Sequence, residues 1–152
     1  MKREYPDRPF VGVGGVVIHL GRALLARRAN PPRQGEWSIP GGMLELGEKL
    51  REGVAREIEE ETGLKVKPLD VLDVFDSIVT DADGKTQYHY VLIDYLCTVI
   101  GGELRAASDV SEARWATLDE VVTLVQRKMT IEVIRKGFCT VSGSEESLGV
   151  PS

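Results

Sequence analysis

The run Gly42–Leu64, GMLELGEKLREGVAREIEEETGL, places four glutamates in the five positions from Glu57 to Glu61. It reads as a loop that enters a helix at about Glu48 and leaves it at Thr62. Val54 and Ile58 are four apart with Ala55 beside them, which makes an apolar stripe at helical spacing. Gly63 is the residue type that ends a helix in the left-handed conformation. The acids therefore fall at the helix C-terminus, where the partial charge is already negative. Glu57 and Glu61 also stand at the spacing where like charges repel. At roughly 100° per residue, Glu57, Glu60 and Glu61 share one face while Glu59 points away. A local rule broken this openly marks a place where function takes precedence over stability. Three carboxylates on one face call for a counter-charge, and a hard divalent cation suits them. The competing reading is a solvated acidic face with Arg56 paired to Glu52.

Outward from this helix, strands and helices alternate. Phe10–His19 and Ala23–Ala29 read as strands with Gly21 in the turn between them, and Asn30–Trp37 reads as a Pro/Gly loop. Lys65–Thr80 reads as one or two strands. Asp81–Gly84 (DADG) is a hairpin signal, and Thr86–Ile100, rich in β-branched and aromatic residues, is a long strand that Gly101 and Gly102 are expected to turn. A short strand over Glu112–Leu118, a helix from Asp119 and a second over Thr130–Phe138 follow. The polar stretch from about 139 to 152 is expected to be a tail. The chain is thus predicted to be one layered α/β domain over residues 1–152.

Composition narrows the function classes. Nineteen Lys and Arg against 24 Asp and Glu give a formal charge of -5. That balance argues against nucleic-acid backbone binding, which wants basic surface. It leaves a nucleotide substrate open if a metal supplies positive charge. The two cysteines, Cys97 and Cys139, have no metal or disulfide spacing. The N-terminus shows no apolar signal region, and no apolar run is long enough to span a bilayer. A cytoplasmic protein is expected.

With its approach included, the helix has a longer pattern. Five residues separate Gly42 from Glu48 and seven separate Glu48 from Arg56, after which come Glu57, Ile58, Glu60, Glu61, Gly63 and Leu64. This resembles the Nudix box, G-x5-E-x7-R-E-U-x-E-E-x-G-U, at every fixed position, and WSIPGG before it and EARWATLDE after it are also like the family. The resemblance covers roughly residues 9–137. It implies an α/β/α sandwich with a mixed β-sheet and a loop–helix–loop box at 42–64. It also implies Mg²⁺, or sometimes Mn²⁺, bound by Glu57, Glu60, Glu61 and the Gly41 carbonyl, with Glu48 and Arg56 holding the ligands in place. The chemistry of the residues agrees. A pyrophosphate repels an incoming water, and metal ions neutralise that charge and lower the pKa of bound water. For the general base, the resemblance points to the loop before the last strand, where Asp109 and Glu112 stand, and Glu61 is a further candidate.

The box specifies the bond broken and not the groups on either side of it. LLARRANPPRQGEWSIPGG and HYVLIDYLCTVIGGEL resemble the ADP-ribose pyrophosphatase-like branch, whose members cleave ADP-ribose to AMP and ribose 5-phosphate and are commonly homodimers. A house-cleaning hydrolase of nucleoside triphosphates is the alternative. A non-cleaving ADP-ribose sensor is a minor one, disfavoured by the intact box. Arg27 and Arg28 are neighbours on a strand and face opposite ways, and Arg28 is favoured as the phosphate-binding one. Tyr88 and Tyr90 share a face and are suited to stacking a base or to sheet packing. Trp37 either closes the pocket or caps the core.

Overall fold

A computed structural model describes residues 2–149, the last six of them by backbone alone. Seven strands and three helices follow in the order β1 (Phe10–His19), β2 (Arg22–Arg28), β3 (Trp37–Ser38), β4 (Gly41–Met43), α1 (Leu50–Thr62), β5 (Leu64–Thr80), β6 (Thr86–Gly102), β7 (Val110–Ala116), α2 (Leu118–Leu124) and α3 (Lys128–Gly149). The sheet is mixed, with the order β3-β2-β1-β6-β5, while β4 pairs with β1 and β7 with β2. β1 and β6 run parallel from Phe10↔Tyr90 to Val17↔Cys97, and the other pairings are antiparallel.

Alternation along the strands builds two cores. Val13, Val17, Leu24, Tyr95 and Cys97 face α1, where they bury Val54 and Ile58. Val16, Ala23, Leu25 and Ala116 point the other way, against Val121, Val133 and Ile134 of α2 and α3. The sheet is therefore covered on both faces, as the α/β/α expectation required. The apolar stripe of α1 is fully enclosed, and each such side chain removed from water contributes roughly 1.5–3 kcal/mol.

β1 divides its partners. Its first half, Gly12–Gly14, pairs with β4, and its end, Ile18–His19, pairs with β2. The two partners splay apart between those pairings, and the site described below opens there. α1 ends at Gly63, which holds φ 75° and donates its amide to the Glu59 carbonyl at 2.9 Å.

Three expectations shift, and one, for one or two strands over Lys65–Thr80, is narrowed. α1 starts at Leu50, after an N-cap Lys49 that offers no side-chain bond to the first amides. Lys65–Thr80 belongs to a single strand, kept continuous by bulges in its pairing with β6. Gly101 and Gly102 do not turn the chain: they pair with Lys65 and Leu64, and β6 runs through them. The tail expected from about 139 is helical to Gly149, because no proline interrupts the chain between Pro68 and Pro151 and glycine alone weakens a helix without breaking it. Residues 150–152 of that stretch lie outside the described residues. No described helix is long and apolar enough to cross a membrane.

Candidate active site

Arg56 is the hub of the box. Its Nε donates to Glu48 Oε2 at 2.6 Å and its Nη2 to Glu48 Oε1 at 2.9 Å, a two-pronged grip. Nη2 also donates to the Met43 carbonyl at 3.1 Å. Nη1 reaches Glu57 at 2.9 Å and Glu60 at 3.2 Å. One guanidinium thus ties β4, the following loop and the acid face of α1 together, which a planar five-donor group does and an ammonium cannot. The Glu48 carboxyl is held down to about 2, chiefly by its bond from Arg56 and next by the Glu45 amide. The alternative pairing of Arg56 with Glu52 does not form among the described contacts.

Glu57 and Glu61 line a polar hollow with Gly41, Gly42, Arg28 and Asp109. Glu61 is 7% exposed, and its Oε1 accepts the Gly41 amide at 2.8 Å. Burial pushes its carboxyl up to about 7. The Gly41 amide and Arg28 oppose that rise, and the charges of Glu57 and Asp109 add to it. Burial also raises Glu57, against the pull of Arg56. A Cβ on Gly42 would run into the Glu57 carboxylate, so only glycine lets the loop lie this close. Glu60 is half-exposed at the rim, turned to Arg56. Among the described residues no three His, Cys, Asp or Glu side chains converge closely enough to hold an ion as a ready cage. The donor set still fits a hard cation. Glu57, Glu61 and an acid from a neighbouring loop, Asp109, face one hollow, and oxygen donors of this kind suit Mg²⁺, which keeps part of its water.

The two acids nominated as bases are separated. Asp109 faces the hollow and accepts from Asn30 Nδ2 at 3.1 Å. Glu112 does not line it, and accepts from Arg27 Nη1 at 3.0 Å. Both arginines line the acid hollow. The Arg27 guanidinium donates to the Gly35 carbonyl and lies 6.0 Å from the Trp37 ring centre, whereas Arg28 lines the larger cavity as well.

That cavity measures about 380 Å³, and Trp37, Tyr88 and Tyr90 all line it. It shares Arg28, Ser38, Ile39, Gly41, Gly42 and Met43 with the acid hollow, so a single elongated ligand can occupy both. Sequence reasoning missed Phe75, Arg127 and Thr130 in its wall and Asp94 in its floor. The one available signal was Asp94 itself, a lone acid in the apolar and aromatic run YHYVLIDYLCTVI.

A family model described as the NUDIX domain matches residues 8–136. An ADP-ribose pyrophosphatase of Methanocaldococcus jannaschii is 40% identical over 116 residues, covering 76% of this chain and 66% of that protein. A putative 8-oxo-dGTP diphosphatase 2 of Mycobacterium tuberculosis is 38% identical over 111 residues, 72% of this chain and 74% of that protein. The chain thus spans about two thirds to three quarters of the length of these curated relatives. The crystal structure of a MutT NUDIX hydrolase from Burkholderia pseudomallei superposes with a TM-score of 0.72 at 31% identity, over 86% of this chain and 98% of that one.

Proposed function

This chain belongs to the Nudix family, and from that premise we propose that it hydrolyses the pyrophosphate bond of a nucleoside diphosphate derivative. ADP-ribose or a related nucleoside diphosphate sugar is the substrate class favoured, giving AMP and a sugar phosphate. The observation that carries this is the shared wall between the acid hollow and the aromatic cavity. It puts room for a nucleoside beside carboxylates able to serve a diphosphate. The Methanocaldococcus jannaschii relative supports the same substrate.

In this reading Glu57, Glu61 and the Gly41 carbonyl hold Mg²⁺ or Mn²⁺, with Glu60 joining from the rim. The bound cation neutralises the diphosphate and acidifies the attacking water. Arg56 fixes the acids, and Arg28 binds a phosphate oxygen. Asp109 is the side chain placed to take the water's proton, with Glu61 as its competitor. Trp37, Tyr88 and Tyr90 enclose the nucleoside. Two unpaired thiols, Cys97 buried and Cys139 exposed, fit a reducing cytoplasmic setting. A homodimer is the assembly this reading carries, and sedimentation velocity at micromolar concentration checks it.

The second reading, pyrophosphate release from a nucleoside triphosphate, is supported by the Mycobacterium tuberculosis relative. A panel of ADP-ribose, diadenosine polyphosphates, NADH and normal and 8-oxo nucleoside triphosphates, assayed with Mg²⁺, separates the two. AMP plus ribose 5-phosphate as dominant products, lost in Glu61→Gln, supports the first reading. Pyrophosphate as dominant product replaces it with the second.

A further inference from the structure

Asp94 lies in the floor of the cavity, on the β6 face that looks away from α1, and its residue is 5% exposed. No hydrogen bond to its carboxyl is made among the described residues. Every fully enclosed side-chain polar atom among those residues does have a partner, so the Asp94 oxygens open onto the cavity. The backbone makes room for it: a Cβ on Gly14 would come within 2.6 Å of Asp94 Oδ1. A carboxyl buried without a donor is costly. Removal of a group that serves only itself would stabilise the fold, and such a group is retained where a ligand completes it.

The surroundings define that ligand. Tyr88, Tyr90 and Phe75 supply flat aromatic wall, and Leu92 and Ile39 supply apolar floor. Beside Asp94, a planar ring bearing an N–H group meets both the wall and the acceptor. The register sets the distance. Asp94 is opposite Gly14, which is opposite Gly41 of the acid hollow. Two strand spacings, about 10 Å, therefore separate them, roughly the reach of a nucleoside from its base edge to its 5′ phosphate.

We propose that Asp94 is the residue that reads the nucleobase, accepting a hydrogen bond from the amino group of an amino-bearing base such as adenine. This deepens the proposed function and rests on its placing of a nucleotide in the cavity. Burial and the nearby charge of Asp73 push the Asp94 carboxyl up to about 7. A protonated carboxyl adds an O–H that matches the ring nitrogen beside the adenine amine.

The test is equilibrium binding by titration calorimetry of AMP and of purine riboside 5′-monophosphate, which lacks the amino group. Wild type, Asp94→Asn, Asp94→Leu and Asp94→Ala are compared. AMP is the nucleotide product of ADP-ribose cleavage, and its binding is measured without any bond being broken. Wild type is expected to prefer AMP by about tenfold, the worth of one hydrogen bond. Asp94→Asn, which keeps an acceptor, retains the preference. Asp94→Leu and Asp94→Ala bring it close to one, and Asp94→Ala brings no bulk against Gly14 should the leucine disturb the fold. Melting temperatures at or above wild type mark the carboxyl as retained for binding. Equal weakening of both ligands would assign the carboxyl to the ribose or to shape, and an unchanged preference would remove it from recognition. Either result overturns the inference. Undiminished ADP-ribose hydrolysis by Asp94→Leu would leave the proposed function standing without it. Loss of the preference in a protein that cleaves nothing in the panel would do the reverse.

Discussion

A single guanidinium decides how the acids of this site are held. Arg56 grips Glu48 through two parallel bonds and still reaches Glu57, Glu60 and the Met43 carbonyl. Arg56→Lys keeps the charge and loses the fork. Its hydrolytic rate is expected to fall about 10–100-fold, the usual cost of removing a group that orients ligands, with most of the loss in kcat or in apparent metal affinity. Steady-state kinetics across a Mg²⁺ titration check this. Asp94 gives the second prediction at this scale. Its folded pKa of about 7 lies above the ordinary carboxylate value, so the native state binds its proton more tightly than the unfolded chain. The associated stability is complete below about pH 4 and is lost as pH rises to 7, a change of the order of 3–4 kcal/mol. Asp73 of β5, paired with Lys136 of α3 at 3.0 Å, adds its charge to the rise, and Arg3, Glu4, Arg28, Arg33, Glu36 and Arg127 line the same cavity. β1 presents only glycine there. Urea midpoints for wild type and Asp94→Asn over that range are expected to converge at pH 4 and to separate at pH 7, with the variant the more stable.

At the scale of the element, α1 is held by packing on one side and by its ending on the other. Val54 and Ile58 are fully enclosed between α1 and the sheet. Ile58→Ala is expected to cost about 2–5 kcal/mol, read as a lower urea midpoint, with the acids losing their footing at the same time. Gly63 holds φ 75°, and a Cβ there would meet the Glu103 carbonyl oxygen. Gly63→Ala is therefore expected to destabilise by more than the roughly 1 kcal/mol that separates Ala from Gly in an ordinary helix, visible in the melting temperature. Both elements of this argument were legible in the sequence, because the apolar stripe and the terminal glycine are local patterns. The strand at Gly41–Met43 was not. Three residues, two of them glycine, carry no strand signal, and they are extended because β1 offers them a partner.

For the molecule as a whole, the acid hollow and the cavity belong to one groove opened where β2 and β4, both paired with β1, part from each other. Cation binding and stability should then be linked. Addition of Mg²⁺ to the chelator-treated protein is expected to raise the melting temperature, by about 2.7 kcal/mol of stabilisation at one hundred times the dissociation constant. Chelation is expected to abolish hydrolysis until the cation is restored. The same thermal scan with Glu61→Gln should show a reduced shift. An equal shift in that variant would move the cation away from Glu61.

The box is a run of residues within two turns of a helix and its entrance, so spacing alone shows which carboxylates share a face and where the helix ends. Family membership and the two-faced sheet follow from that pattern and from strand alternation. What the linear order does not contain is which distant groups meet. Asp109 and Glu112 look alike in a loop, and only the pairing of β2 with β7 sends Glu112 to Arg27 while Asp109 reaches the hollow beside Glu61. Arg27 and Arg28 both line the hollow, and only Arg28 also reaches the cavity. Asp94 reads as one acid in a strand, and it becomes a feature of the cavity when the parallel pairing of β1 with β6 sets it beside Gly14 with no donor from the protein. Such contacts join residues dozens of positions apart, and their partners are chosen by the packing of the whole sheet.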